Sequence, residues 1–184
     1  MDTMMTSRIR GSEVGTAGRI ILGIDPGSLV AGFGVLQLIN DEIRHISNGV
    51  IMLDKTKPFA QRLADLQEDT HQLCQQFKPN CVAIEKIFLG KNADSTFKLG
   101  HARGVMLASV CRAGAEVSEY STREVKKGVT SKGSADKTEV AFVLQNLLSL
   151  KMFVKADATD ALAMAYFHCL KLQERQLIAS AYQV

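Results

Sequence analysis

No apolar run in this 184-residue chain approaches the roughly 20 residues needed to cross a bilayer, so no membrane span is expected. Nor is there a Cys-x-x-Cys pair. Cys74, Cys81, Cys111 and Cys169 are widely spaced, which removes the ligand spacing of a structural zinc site and reads as reduced core thiols in a cytosolic protein. The N-terminus holds Asp2 and Glu13 and no continuous apolar core, so it is not read as a secretory signal. No repeat or low-complexity array is visible. With 46% hydrophobic and 22% charged residues, the composition argues against disorder and fits one domain burying roughly 70% of its unfolded surface.

A large net charge is missing too, at +3, but the distribution is uneven. Residues 86–112 carry five Lys/Arg against the single acid Asp94, and residues 121–155 carry seven against Glu124, Asp136 and Glu139. The rest of the chain is net acidic. Such segments are either solvated faces or a surface for a polyanion such as nucleic acid.

Hydrophobic patterning orders the chain. Residues 1–18 are polar, Gly/Ser/Thr-rich and non-periodic, and are read as a mobile extension; 19–174 form the domain, and 175–184 a C-terminal tail. Ile20–Ile24 predicts a buried strand, turned at Pro26-Gly27-Ser28. A second strand spans Phe33 to Ile39, and Asn40-Asp41 turns it tightly into a third, Ile43–Leu53. Phe59, Leu63, Leu66, Thr70, Leu73 and Phe77 recur at helical spacing after Pro58 and stop at Lys78-Pro79-Asn80. Strand Cys81–Ile84, a helix over Asp94–Ala113 and strand Ala115–Tyr120 follow. The remainder is helical: near Thr122–Lys127, after Ser134 (a plausible N-cap, with Asp136 in the first turn) and from about Asp157. Periodicity establishes only an α/β class.

Four carboxylates sit where apolar elements begin or end: Asp25, Glu85, Asp157 and Asp160. Acids on element ends can converge in space, and converged acids repel unless a cation joins them. Hard divalent cations take oxygen ligands and also bind phosphate. Each acid has a structural alternative. Asp25 in Gly23-Ile24-Asp25-Pro26-Gly27 can cap a turn, or belong to a phosphate loop like that of actin-like ATPases. Glu85 ends an apolar strand, where a charge needs a partner; Lys86 and Lys126 are candidates. Asp157 and Asp160 share a helix face one turn apart and can serve as N-terminal acids. Gly100, Gly104 and Ala108 form a small-residue stripe suited to close packing on the chain's own sheet or on a second subunit. His168 reads as structural, His101 lies among basic residues where DNA contact is conceivable, and no histidine is assigned to catalysis.

The ordered set of segments resembles the RuvC-type Holliday-junction resolvases of the ribonuclease H-like superfamily. It comprises Ile21-Leu22-Gly23-Ile24-Asp25-Pro26-Gly27-Ser28; Ala83-Ile84-Glu85-Lys86-Ile87-Phe88; Lys91-Asn92-Ala93-Asp94-Ser95 with Ala102-Arg103-Gly104; Arg123-Glu124-Val125-Lys126; Gly133-Ser134-Ala135-Asp136-Lys137; and Ala156-Asp157-Ala158-Thr159-Asp160-Ala161. The likeness covers roughly Ile20 to Leu170. It implies a mixed five-stranded sheet, its first three strands antiparallel, flanked by helices.

The resemblance also implies an endonuclease that resolves Holliday junctions by paired nicks, leaving 5′-phosphate and 3′-hydroxyl ends, in DNA recombination and repair. Asp25, Glu85, Asp157 and Asp160 would bind two Mg²⁺ ions, with Mn²⁺ able to substitute. Lys126 and Lys137 would lie near the scissile phosphate, and Phe88 would stack on an unpaired base, worth roughly 1–3 kcal/mol. Lys91, Asn92 and Lys132 join them as DNA contacts. A cytoplasmic homodimer, working with a branch-migration motor, is the implied assembly. Rival readings are another ribonuclease H-like nuclease, half of an actin-like ATPase (for which a second phosphate loop is missing), and a non-catalytic nucleic-acid-binding module.

Overall fold

The computed structural model describes residues 18–86, 92–150 and 155–182. Three antiparallel strands open the fold: β1 (Arg19–Asp25), β2 (Val30–Ile39) and β3 (Glu42–Met52). Asn40 and Asp41 both adopt positive φ, 48° and 63°, the conformation that lets a two-residue turn match the strand twist. Helix α1 (Phe59–Phe77) follows and ends at Lys78 in the left-handed region, whose amide donates to the Cys74 carbonyl at 2.9 Å. Strand β4 (Cys81–Glu85), α2 (Ala93–Arg112) and β5 (Glu116–Tyr120) complete a sheet of order β3-β2-β1-β4-β5. The pairs β1–β4 and β4–β5 are parallel. This is the mixed five-stranded, ribonuclease H-like layout the sequence resemblance implied.

Helices α3 (Thr122–Thr130), α4 (Lys137–Leu147) and α5 (Ala156–Ala181) close the chain. Ser121 caps α3 through a reciprocal pair of bonds with Glu124. The cap of α4 is Asp136, which accepts from the Glu139 amide at 2.8 Å, not the expected Ser134; the helix starts two residues later, where a carboxylate satisfies the first amides and complements the helix dipole. Helix α5 continues beyond residue 174 to Ala181, with its last two turns exposed. Residues 1–17 lie outside the described residues.

Alternation along the strands divides the interior in two. Leu22, Ile24, Phe33, Val35, Val82 and Ile84 face α1 and α2, while Ile21, Leu36, Leu38, Cys81 and Ala83 face α3, α4 and α5. Cys74, Cys81 and Cys169 are buried, as expected of core thiols, but Cys111 is exposed near the C-terminal end of α2, because that face of the helix turns away from the sheet. Among the described residues no helix is long and apolar enough to cross a membrane.

Helix α5 lies unusually close to β1 and β2. A Cβ at Gly23 would fall 1.9 Å from the Ala161 carbonyl oxygen, and one at Gly32 would fall 2.0 Å from that of Asp157. Both contacts are with backbone, which cannot swing aside. Gly32→Ala is therefore expected to lower the unfolding free energy by about 1–3 kcal/mol in urea denaturation. A variant as stable as the parent would contradict this packing.

Candidate active site

Strand register decides where the first two acids go. Ile24 pairs with Ile84 across the parallel β1–β4 ladder, so Asp25 and Glu85 end neighbouring strands side by side. On the other flank of β1, Gly32 is the partner of Asp25 and admits the first turn of α5. That turn contains Asp157, and Asp160 follows three residues later on the same face. All four acids are half-buried.

Electrostatics join them into one site. Burial first, and then the charges of Asp160, Glu85 and Asp157, push the Asp25 carboxyl up from 3.8 to about 7. Lys137, just past the Asp136 cap, donates from Nζ to Asp160 Oδ2 at 2.6 Å. That bond holds the exposed lysine above its ordinary pKa.

Glu85 is fastened twice, neither time by the lysines that the sequence offers. The Thr122 hydroxyl donates to Glu85 Oε1. Arg103 Nε donates to the Glu85 main-chain oxygen at 3.0 Å, and the same guanidinium pairs with Glu119. Arg103 and Thr122 escaped sequence reasoning. Arg103 stood in a basic segment and in the family segment Ala102-Arg103-Gly104 without a role of its own, and no local pattern foretells that the β4–β5 register brings Thr122 beside Glu85.

The other candidates are distributed around this centre. Lys126 lies one turn beyond Thr122 on α3, partly exposed. Lys132, in the loop before α4, is exposed and paired with Glu139 at 3.0 Å. Asn92 caps α2, its side chain accepting from the Ser95 amide at 3.2 Å. Phe88 and Lys91 lie outside the described residues. His168 is buried, shares a 2.8 Å hydrogen bond with the Tyr120 hydroxyl, and is driven by burial to a pKa of about 4. It is a neutral core group, in keeping with the structural role read from the sequence. His101 bonds the Phe97 carbonyl through Nδ1 and packs edge-on against Phe59.

Among the described residues no three His, Cys, Asp or Glu side chains are arranged to hold a metal ion as they stand. The donor chemistry nevertheless fits a hard divalent cation: three carboxylates lie near enough to Asp25 to raise its pKa, and one of them has drawn an ammonium onto itself.

The family described as crossover junction endodeoxyribonuclease RuvC matches residues 21–168. The chain belongs to the RuvC family. A RuvC of Bdellovibrio bacteriovorus is 49% identical over 162 residues, covering 88% of this chain and 96% of the relative. Among solved structures, Thermus thermophilus RuvC in complex with a Holliday junction substrate superposes with a TM-score of 0.79 at 28% identity, covering 85% of this chain and 96% of that one. The yeast mitochondrial Holliday junction resolvase Ydc2 shares the fold, with a TM-score of 0.65 at 14% identity and coverage of 88% and 85%. All four acids fall inside the RuvC match.

The raised Asp25 pKa sets a sign for stability. The folded protein holds this proton up to about pH 7, whereas the unfolded chain releases it near 3.8; stability therefore falls as pH rises through that window. Asp25→Asn is expected to stabilise the metal-free protein by roughly 2–4 kcal/mol at pH 8, fading below about pH 4. Denaturant melts at the two pH values check this, and an unstabilised variant at pH 8 would contradict it.

Proposed function

We propose that this chain is a divalent-cation-dependent endonuclease that resolves four-way DNA junctions by paired, symmetric nicks, in recombination and repair. The observation that carries the reading is the convergence of Asp25, Glu85, Asp157 and Asp160 at one end of the sheet in a RuvC family member. Two Mg²⁺ ions, or Mn²⁺ in their place, held by these four acids would supply Lewis-acid charge and lower the pKa of the attacking water.

The chain's own residues do the rest. Asp25 and Glu85 are rigid because they end paired strands. Asp157 and Asp160 are placed by a helix with no freedom to slide past Gly23 and Gly32. Lys137 is exposed enough to leave Asp160 for a phosphate oxygen, where its charge would offset the negative charge that builds during in-line attack. Lys126 extends the basic surface, and Lys132 and Asn92 are assigned to backbone positioning. Phe88 is assigned to base stacking and Lys91 to a phosphate contact. The expected products are 5′-phosphate and 3′-hydroxyl ends.

A homodimer fits the small-residue stripe. A Cβ at Gly100 or Gly104 would meet nothing within 4 Å, so the stripe does not pack on the chain's own sheet. It floors an open groove lined by Phe97, Gly100, Gly104 and Ala108, and Phe97 is 69% exposed. A second copy seated there would relate two active sites by a two-fold axis, as two scissile strands require. Family membership also supports work beside a branch-migration motor, and the free thiols suit the cytoplasm.

A labelled four-way junction and an equal-length duplex, each with Mg²⁺ or with chelator, test the reading. Paired, ligatable nicks in the junction alone, abolished by chelator, are expected. ATP hydrolysis without cleavage, or equal cutting of duplex, would overturn it. Asp157→Asn is expected to abolish cleavage while junction binding is kept or tightened, because it removes a negative charge facing phosphate; binding that collapses in a gel-shift titration would make Asp157 structural instead.

A further inference from the structure

We propose that Thr122 is a positioning residue for Glu85, holding one carboxylate oxygen so that the rest of the group is presented to a cation. The register brings the two together. Glu85 is the partner of Tyr120 on β5, and pairing runs one bond further, from the Lys86 amide to the Tyr120 carbonyl at 2.8 Å. The chain then turns at Ser121 into α3, whose first residue is Thr122. Ser121 supplies the cap of that helix, so the Thr122 hydroxyl is not needed for capping. It donates to Glu85 Oε1.

The main chain of Glu85 is secured separately. Arg103 reaches from α2, donating to the Glu85 carbonyl, and is itself held by Glu119 with only 15% of its side chain exposed. Backbone and carboxylate are thus fixed by different elements. A glutamate has three rotatable bonds, and ordering it at the moment of binding lowers affinity; a side chain already held loses less. An ionised carboxylate has about four acceptor sites. One hydroxyl on Oε1 therefore leaves the second oxygen free and fixes the group's orientation. Outer partners that orient metal ligands typically change metal affinity by about 10–100-fold when removed.

This inference rests on Glu85 being a metal ligand, and the experiment separates the two. Mn²⁺ is titrated calorimetrically into the DNA-free wild type, Thr122→Val and Thr122→Ser, with a thermal melt of each. Thr122 is exposed and valine keeps its shape, so all three should melt together without metal. The valine variant is expected to bind Mn²⁺ about 10-fold or more weakly, and serine to restore wild-type affinity. In junction cleavage, the Mg²⁺ concentration for half-maximal rate should rise for Thr122→Val while the rate at saturating Mg²⁺ stays close to wild type. Valine binding as tightly as threonine, or serine failing to rescue, would overturn the role of Thr122. A wild type that binds no Mn²⁺ would overturn the metal site itself, and this inference with it.

Discussion

The close approach of α5 to β1 and β2 is the constraint on which the site depends. It exists because Gly23 and Gly32 offer no Cβ to the carbonyls of Ala161 and Asp157. A side chain at either position would lift the helix, and with it Asp157 and Asp160, away from Asp25. Helix packing in this protein is therefore also site construction. Ala158, Ala161, Ala163 and Ala165 in the first half of α5 are all buried, small residues that serve the same closeness. Hydrophobic burial thus holds together acids that would otherwise separate.

That arrangement stores electrostatic repulsion. Asp25 would titrate like an ordinary aspartate if it stood alone in water; burial and three neighbouring carboxylates move it to about 7. The protein relieves part of the repulsion with its own groups. Lys137 supplies a positive charge to Asp160, and Thr122 gives Glu85 a hydrogen bond. A site so poised favours whatever brings more positive charge, as a divalent cation does.

Much of this was legible in the sequence, for identifiable reasons. The apolar runs ending in Asp25 and Glu85 announce strands, and the periodicity from Phe59 to Phe77 announces α1, since burial on one face imposes its own spacing. The pairing of Asp157 with Asp160 follows from helical geometry alone. Placing the four acids together required the fold, and that came from the ordered family segments, not from local pattern. Long-range placement was beyond reach: nothing around Thr122 signals that the β4–β5 register brings it to Glu85, and nothing around Arg103 signals that it reaches Glu85 from α2. Competing caps misled in one place, where Ser134 and Asp136 both suit a helix start and the structure uses the aspartate. The small-residue stripe on α2 was ambiguous until the sheet was built, because the same glycines suit either partner.

Carbon-13 NMR titration of the Asp25 side-chain carboxyl, without and with Mg²⁺, tests most directly that the fold forces four acids into one cation-seeking site. Without divalent ion the midpoint should lie near pH 7, and saturating Mg²⁺ should carry it well below that value. A midpoint near 4 in the metal-free protein, unmoved by Mg²⁺, would contradict it.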